Sequence, residues 1–327
     1  LRLAIEEGLS IIFISHKLHE VMAIADRVVV LRRGKMAGGV DTKDTDKNAL
    51  AVMMMGTEAT PPEVSPAKPG APLLALSKVT TPDVGSVPGL KSVSLALKAG
   101  QIVGLAGVSG NGQAAMADVV GGLLSPSDGQ VILGSETVQK WTPRVAVQSG
   151  IARIPEDRHK KGTIADFDLI ENAILERYKS PAFSKGGWMN WRKSRAFADG
   201  IIDKYDVRCP GSDTPIRLLS GGNMQKLILG RVLEADPQII LANQPVRGLD
   251  IGAVNYVHSR LLSARERGAA VLLISEDLDE VMALSDVIHV IADGRLSPEF
   301  KRGEMTPAQL GLWMAGQGFE ADIAHAS

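Results

Sequence analysis

The chain is 327 residues long, 45% hydrophobic and 22% charged, which excludes wholesale disorder and leaves room for one large domain or two smaller ones. A net charge of −1 supplies no electrostatic footprint for nucleic acid, so no nucleic-acid partner is expected. The one cysteine, Cys209, cannot form an internal disulfide; it fits a reducing compartment and a structural thiol. No run approaches the roughly 18 consecutive apolar residues of a spanning helix, so any membrane association is expected to be peripheral.

In chain order, Leu1-Arg2-Leu3-Ala4-Ile5-Glu6-Glu7 is an amphipathic helical phrase with neither an initiator Met nor the layout of a signal peptide, and is expected to continue something longer. Ile11 to Ile14 is a short strand-like run. Ile14-Ser15-His16-Lys17-Leu18-His19-Glu20-Val21-Met22-Ala23 then returns 260 residues later as Ile274-Ser275-Glu276-Asp277-Leu278-Asp279-Glu280-Val281-Met282-Ala283, with seven of ten positions identical. The register continues without a gap through Asp26 and Asp286, Val30 and Val290, Gly34 and Gly294, Leu50 and Leu310, Met54 and Met314, Gly56 and Gly316. Residues 1–56 therefore read as the tail of one unit, and roughly 200 residues of that unit are expected upstream if the two are alike in length.

Thr57 to Pro72, with five prolines, reads as an extended linker. Residues 73–316 hold a whole second unit and 317–327 a short tail. Within the second unit short β-branched runs alternate with helical stretches: Gln101 to Ala106 then Gln113 to Gly121, Gln238 to Ala242 then Gly252 to Arg267, Ala270 to Ser275 then Leu278 to Leu284. Such alternation predicts parallel strands joined by crossover helices. Glu171 to Tyr205 reads as mostly helical, which predicts a helical insert over about 157–219.

Gly107-Val108-Ser109-Gly110-Asn111-Gly112-Gln113-Ala114 follows a strand and opens a helix, where a glycine-rich loop cradles phosphate on backbone N–H groups. Such a turn also has a purely structural reading, and a phosphate loop wants Lys then Ser or Thr where Gln113 and Ala114 stand. Leu219-Ser220-Gly221-Gly222-Asn223-Met224-Gln225-Lys226 separates the two readings, because it resembles the signature motif of the ATP-binding-cassette family. Ile239-Ile240-Leu241-Ala242-Asn243-Gln244-Pro245 resembles that family's Walker B strand and Gly248-Leu249-Asp250 its D-loop. Ile14-Ser15-His16 is similar to the H-loop, with Glu276 at the same place in the second unit. Ile154-Pro155-Glu156-Asp157-Arg158 stands where the family carries its Q-loop, although the charge run Asp157 to Lys161 also fits a solvated turn.

The resemblance implies an α/β P-loop-type cassette with a mostly parallel sheet, an antiparallel β region and a helical insert. It implies ATP and Mg²⁺ as ligands. The implied nucleotide contacts are Gly107, Ser109, Gly110, Asn111, Gly112, Gln113, Ala114, Glu156, Ser220, Gly221, Gly222, Gln225, Asn243 and Asp250. The positions implied for catalysis are His16, Gln244 and Glu276. Several of these depart from the family's pattern: Gln113 for Lys, Asn243 for the Asp that helps hold Mg²⁺, Gln244 for the Glu that activates water, Glu276 for His, Glu156 for Gln. Losing one charge about 4 Å from a phosphate forfeits about 4 kcal/mol at an effective dielectric near 20. Nor does any aromatic residue lie between Phe13 and Trp141 to stack on adenine.

Ser220-Gly221-Gly222 and Gly248-Leu249-Asp250, which in the family serve the partner cassette's nucleotide, are intact. The expectation is one competent and one degenerate site, with Mg²⁺ held mainly by the sister cassette and no metal ligands here. Together with Pro-Glu-Asp-Arg, these motifs resemble the fused two-cassette ATPases of sugar and nucleoside importers, and the Gly107 to Gln113 and Gln244 to Asp250 spellings lean to the nucleoside branch. That resemblance implies a peripheral protein on the cytoplasmic face of the cell membrane. Its partners would be a transmembrane permease, a periplasmic or lipoprotein solute-binding protein and the sister cassette in the same chain. A ribosome-acting twin-cassette protein would carry a long charged helical linker rather than a short Pro-rich one, a non-catalytic scaffold cassette remains open, and the signature motif excludes a Rossmann dehydrogenase.

Overall fold

The computed structural model describes residues 8–15, 18–32, 34–56 and 62–319. His16, the helical phrase at 1–7, the start of the Pro-rich segment and the tail beyond Phe319 lie outside the described residues. The chain divides into two compact units, one built on residues before Val64 with Gly248–His258, the other on Val64–Arg247 with the chain from Ser259.

In the smaller unit, α1 (Leu18–Ile24) leads into β1 (Arg27–Arg32), which pairs antiparallel with β2 (Lys35–Asp41), and α2 (Lys47–Met55) follows. Val21, Val30 and Leu50 form its core, with Leu50 fully buried. The strand-like run Ile11–Ile14 is not a strand: residues 9–15 carry no regular secondary structure, and Ile12 and Ile14 are 97% and 100% exposed. A strand needs a neighbour to pair with, and among the described residues of this unit β1 and β2 pair with each other.

The larger unit opens with β3 (Pro72–Thr80), β4 (Val93–Lys98), β5 (Ile102–Ala106) and α3 (Gln113–Val120). It continues through β6 (Asp128–Leu133), β7 (Glu136–Thr137), α4 (Pro143–Gln148) and β8 (Ile151–Ile154). Next come α5 (Leu169–Ile174), β9 (Ser184–Lys185), β10 (Trp188–Met189), α6 (Trp191–Lys204) and α7 (Gly221–Leu233). Then follow β11 (Ile239–Asn243), α8 (Ile251–Glu266, shared with the smaller unit), β12 (Ala270–Ser275), α9 (Leu278–Leu284), β13 (Val287–Ala292), β14 (Arg295–Leu296), β15 (Phe300–Lys301) and α10 (Pro307–Met314).

The central sheet runs β14-β13-β5-β12-β11-β8, parallel from β13 to β8, with β14 and β15 antiparallel to β13. Every residue of β5, β12 and β13 is buried, as expected of strands covered on both faces. A second sheet, β4-β3-β6-β7, is antiparallel throughout, and both sheets contribute to the main core around Leu74, Leu97, Leu105 and Leu272. The mostly parallel α/β architecture expected from the alternation is therefore present.

The sequence repeat is also a structural one. Shifting α1 and β1 by 260 positions lands on the bounds of α9 and β13. Ser15 Oγ donates to Glu20 Oε2 at 2.9 Å, and Ser275 Oγ to Glu280 Oε2 at 2.6 Å. Thr42 N–H bonds the Asp26 carbonyl as Arg302 N–H bonds that of Asp286. Asp46 caps α2 by accepting from Ala49 N–H, and Thr306 caps α10 by accepting from Gln309 N–H.

The segment Glu171–Tyr205 is less helical than expected. Pro181 cannot sit in a helix interior, and Gly186 and Gly187, with φ of +60° and +86°, turn the chain into the hairpin β9–β10. Asn172, fully buried, fastens α5 to the preceding loop by accepting from Ile164 N–H and donating to three carbonyls. Arg231 of α7, only 3% exposed, donates to the Asn172 and Gly162 carbonyls.

Candidate functional site

The registers of β5, β12 and β11 bring the chemistry-bearing segments to one edge of the central sheet. Ala106 pairs with Ser275, and Ile274 with Asn243, so the Gly107 loop, Glu276 and Gln244 each follow the carboxyl end of adjacent parallel strands. Glu156 lies two residues beyond the end of β8, the next strand. Ligands of open α/β sheets bind in the crevice outside this edge.

The Gly107–Ala114 loop is closed on itself. Gln113, 8% exposed, donates from Nε2 to the Val108 carbonyl at 2.8 Å and accepts the Asn111 N–H on Oε1 at 3.0 Å. Asn111 Nδ2 donates to the same carbonyl at 2.9 Å. Gly107 has no room for a side chain, since a Cβ there would stand 2.6 Å from the Ile291 carbonyl and 2.7 Å from Gln113 Nε2. From outside, Asp293 N–H and Gly294 N–H donate to Asn111, and Lys91 holds Asp293 through a 2.7 Å ion pair. That pairing keeps the Asp293 carboxyl below its ordinary range. Val108, Ser109, Gly110 and Ala114 are exposed. The loop thus has the shape of a phosphate cradle, but a neutral side chain fills it and engages one of its N–H donors.

Asn243 ends β11, and Gln244 follows with φ +51°, its N–H bonded to the Ile274 carbonyl at 2.8 Å. A left-handed backbone costs a non-glycine residue about 1–2 kcal/mol. The side chains at 243, 244 and 276 are an amide, an amide and an exposed carboxylate. Among the described residues no group of three or more His, Cys, Asp or Glu is arranged to hold a metal ion. This edge thus presents no cationic side chain at 113 and no carboxylate at 243 or 244.

At the head of α7, Ser220 is the N-cap residue, yet its side chain caps no helix N–H; its Oγ accepts from Asn223 Nδ2 at 3.0 Å. Ser220 is exposed and Gly221 and Gly222 half-buried, on the turn whose N–H groups have no intrahelical partner. Gln225 departs from its expected nucleotide contact: it is 2% exposed and donates to the Pro245 carbonyl, tying α7 to the loop after β11.

Glu156 is likewise engaged within the protein, by Arg247 Nη1. Arg158 completes a clasp by donating to the Arg247 carbonyl at 2.7 Å, and its guanidinium lies against Gly221, where a Cβ would stand 3.0 Å from Nη2. Burial pushes the Arg158 guanidinium down from its ordinary value, opposed by neighbouring Asp157. Asp157 accepts the N–H groups of His159 and Lys160, which hold its carboxyl below the usual range. The sequence marked Arg158 only as part of a motif and gave Arg247 no role; Arg-Gly-Leu-Asp beside Pro-Glu-Asp-Arg was the available signal. In the smaller unit Asp250 accepts the Ala253 N–H at 2.9 Å, starting α8, and His16 lies outside the described residues.

The ABC transporter family model matches residues 90–247, a span that runs from before the filled loop through the signature turn to Arg247. Residues 90–247 are an ABC transporter domain. The cassette is accompanied by likeness over nearly the whole chain to the guanosine import ATP-binding protein NupO of Bacillus subtilis strain 168. The two are 44% identical over 313 residues, 95% of this chain and 61% of that protein. The glucose import ATP-binding protein TsgD13 of Haloferax volcanii is 38% identical over 316 residues, 96% of this chain and 58% of that protein. The chain thus spans about three-fifths of the length of these curated relatives. A crystal structure of a nucleotide-free ATP-binding cassette from an ABC transporter superposes with a TM-score of 0.61 at 21% identity, covering 74% of this chain and 98% of that one, which shows the cassette fold.

Proposed function

We propose that this chain is part of an ATP-driven importer of a small polar solute, in which its cassette lends a signature face to a nucleotide held elsewhere and does not itself hydrolyse ATP. The observation that carries this is an asymmetry within one domain. The Ser220–Gly222 turn is open at a helix N-terminus suited to a γ-phosphate, while the Gly107–Ala114 loop is filled by Gln113. The ATP and Mg²⁺ that turn over belong to a sister cassette in the same polypeptide, of which residues 1–56 are the C-terminal part and His16 the H-loop residue.

The solute is a nucleoside, in keeping with the motif spellings and the likeness to the guanosine import protein NupO; a sugar is the second reading, favoured by the likeness to TsgD13. The partners are a membrane permease and a solute-binding protein, and the protein sits peripherally on the cytoplasmic face. Among the described residues no helix is long and apolar enough to cross a membrane.

The test uses the full-length protein with its permease. Replacing Ser220 or Gly222 with a bulky charged residue should lower transport-coupled hydrolysis about a hundred- to a thousandfold, as for loss of donors that face developing charge. Gln244→Ala should leave turnover near its starting value. Equal slowing by both, with circular dichroism unchanged, would mean that the second pocket turns over ATP. Uptake of labelled uridine against labelled pentose and labelled glucose separates the two solutes.

A further inference from the structure

We propose that the hairpin Ser184–Met189 and the first turn of α6 form a docking surface for an anionic lipid bilayer. The observation behind it is a concentration of positive charge and exposed aromatic side chains in one segment. Between Glu176 and Asp199 lie Arg177, Lys179, Lys185, Arg192, Lys193 and Arg195 and not one acidic residue, in a protein whose net charge is −1.

Two of these cations build the platform. The Arg177 guanidinium lies 5.7 Å from the ring centres of both Phe183 and Phe197, which pack on each other at 5.1 Å. Arg195 makes a two-pronged ion pair with Asp213. Lys185, Arg192 and Lys193 are exposed and form no ion pair with any described residue. Arg192 and Lys193 stand in the first turn of α6, which has no acidic residue, so they oppose the helix dipole rather than complement it. The stability of the fold does not account for them.

The aromatic part is as unusual. Trp188 is 83% exposed, Trp191 54% and Tyr178 47%, whereas Trp141 is buried and Trp313 packs on Phe300 at 5.5 Å. Lys185 and Trp188 are register partners across the Gly186-Gly187 turn, and residues directly opposite each other in an antiparallel pair share a face. Indole rings with an apolar body and an N–H tip settle at the headgroup level of a bilayer, and clustered Lys and Arg are drawn to anionic headgroups. An acidic protein surface would take the tryptophans and Arg192, but lysine is depleted at protein interfaces, and two of the three cations Lys185, Arg192 and Lys193 are lysines. The bilayer accounts for the lysines and the tryptophans. The inference stands on this hairpin alone and not on the transport reading, so loss of transport with lipid binding intact would count against that reading only.

The test is flotation of the purified chain with vesicles of phosphatidylcholine alone and with phosphatidylglycerol added. Binding should require phosphatidylglycerol and weaken as salt is raised. Each cation near the surface contributes about fivefold in partition, so K185Q/R192Q/K193Q should bind about a hundredfold less, and Trp188→Ser with Trp191→Ser should also release the protein. These side chains are exposed, and unchanged thermal melting of both variants checks that the fold is kept. Absence of binding to the anionic vesicles, or equal binding by the triple variant, overturns the proposal. So does binding that appears only when a permease is reconstituted in the vesicles, since the partner would then be an acidic protein face.

Discussion

Gln113 Nε2 donates to the carbonyl of Val108 at 2.8 Å, while Oε1 of the same side chain accepts the Asn111 N–H. The group standing where a phosphate-binding cation would be is thus part of the loop's own hydrogen bonding. Gln113→Ala should cost about 1 kcal/mol, because the Asn111 N–H loses its acceptor while the Val108 carbonyl keeps Asn111 Nδ2, measured as a lower urea midpoint with unchanged slope. It should not create nucleotide affinity, because it adds no charge.

The clasp around Arg247 yields a graded expectation. The Glu156–Arg247 ion pair joins side chains that are 41% and 58% exposed, and exposed pairs contribute about 0–1 kcal/mol. Glu156→Gln should therefore leave both stability and hydrolysis by the full-length protein close to wild type. Arg158→Ala removes the bond to the Arg247 carbonyl and the packing on Gly221 together. It should lower kcat more than it raises KM, because Arg158 positions the signature turn. Equal effects of the two substitutions on kcat/KM would remove Arg158 from that role.

Asp286 and Arg265 form a buried pair at 2.8 Å, with side chains 8% and 3% exposed, and Asp286 also accepts the Ile102 N–H. Asp286→Asn keeps an acceptor for Ile102 but strands the Arg265 charge, and should cost about 3–5 kcal/mol in chemical denaturation. Arg265→Met should cost less, because Arg302 remains 3.5 Å from Asp286.

His289 is 7% exposed, and its Nδ1 lies 2.9 Å from the Ser297 carbonyl, which requires a proton on Nδ1. Desolvation lowers its pKa in the folded state, against the weaker opposing pull of the Ser297 carbonyl and Glu299. An unfolded histidine, with a pKa of about 6.5, then binds its proton at higher pH than the folded one does. Stability from this group is fully present above about pH 6.5 and is lost as pH falls toward the depressed folded value. Thermal melting should therefore drop on acidification through that window, and His289→Gln should flatten the drop.

The repeat at an offset of 260 was legible because strand and helix bounds, caps and the Ser–Glu bond all sit on local sequence; α1 and α9 have matching bounds. Ile11–Ile14 misled because an apolar run does not say whether neighbouring strands exist to pair with it. The hairpin β9–β10 was hidden because its strands are two residues each, too short for any periodicity. Arg265 with Ser65 and Asp286 gave no local signal, since the partners lie 200 and 21 residues away. Gln113 was legible as a missing cation. That its side chain fills the loop is a matter of rotamer and hydrogen bonding that the sequence does not state.

The most direct test of the filled-loop account is calorimetric titration of Mg²⁺–ATP into the purified chain and its Gln113→Ala variant. The account predicts no saturable binding tighter than about 1 mM for either protein, together with no steady-state phosphate release above a buffer blank. Micromolar binding by the wild-type chain that disappears in Gln113→Ala would show that Gln113 grips a nucleotide rather than its own loop, and would contradict the account.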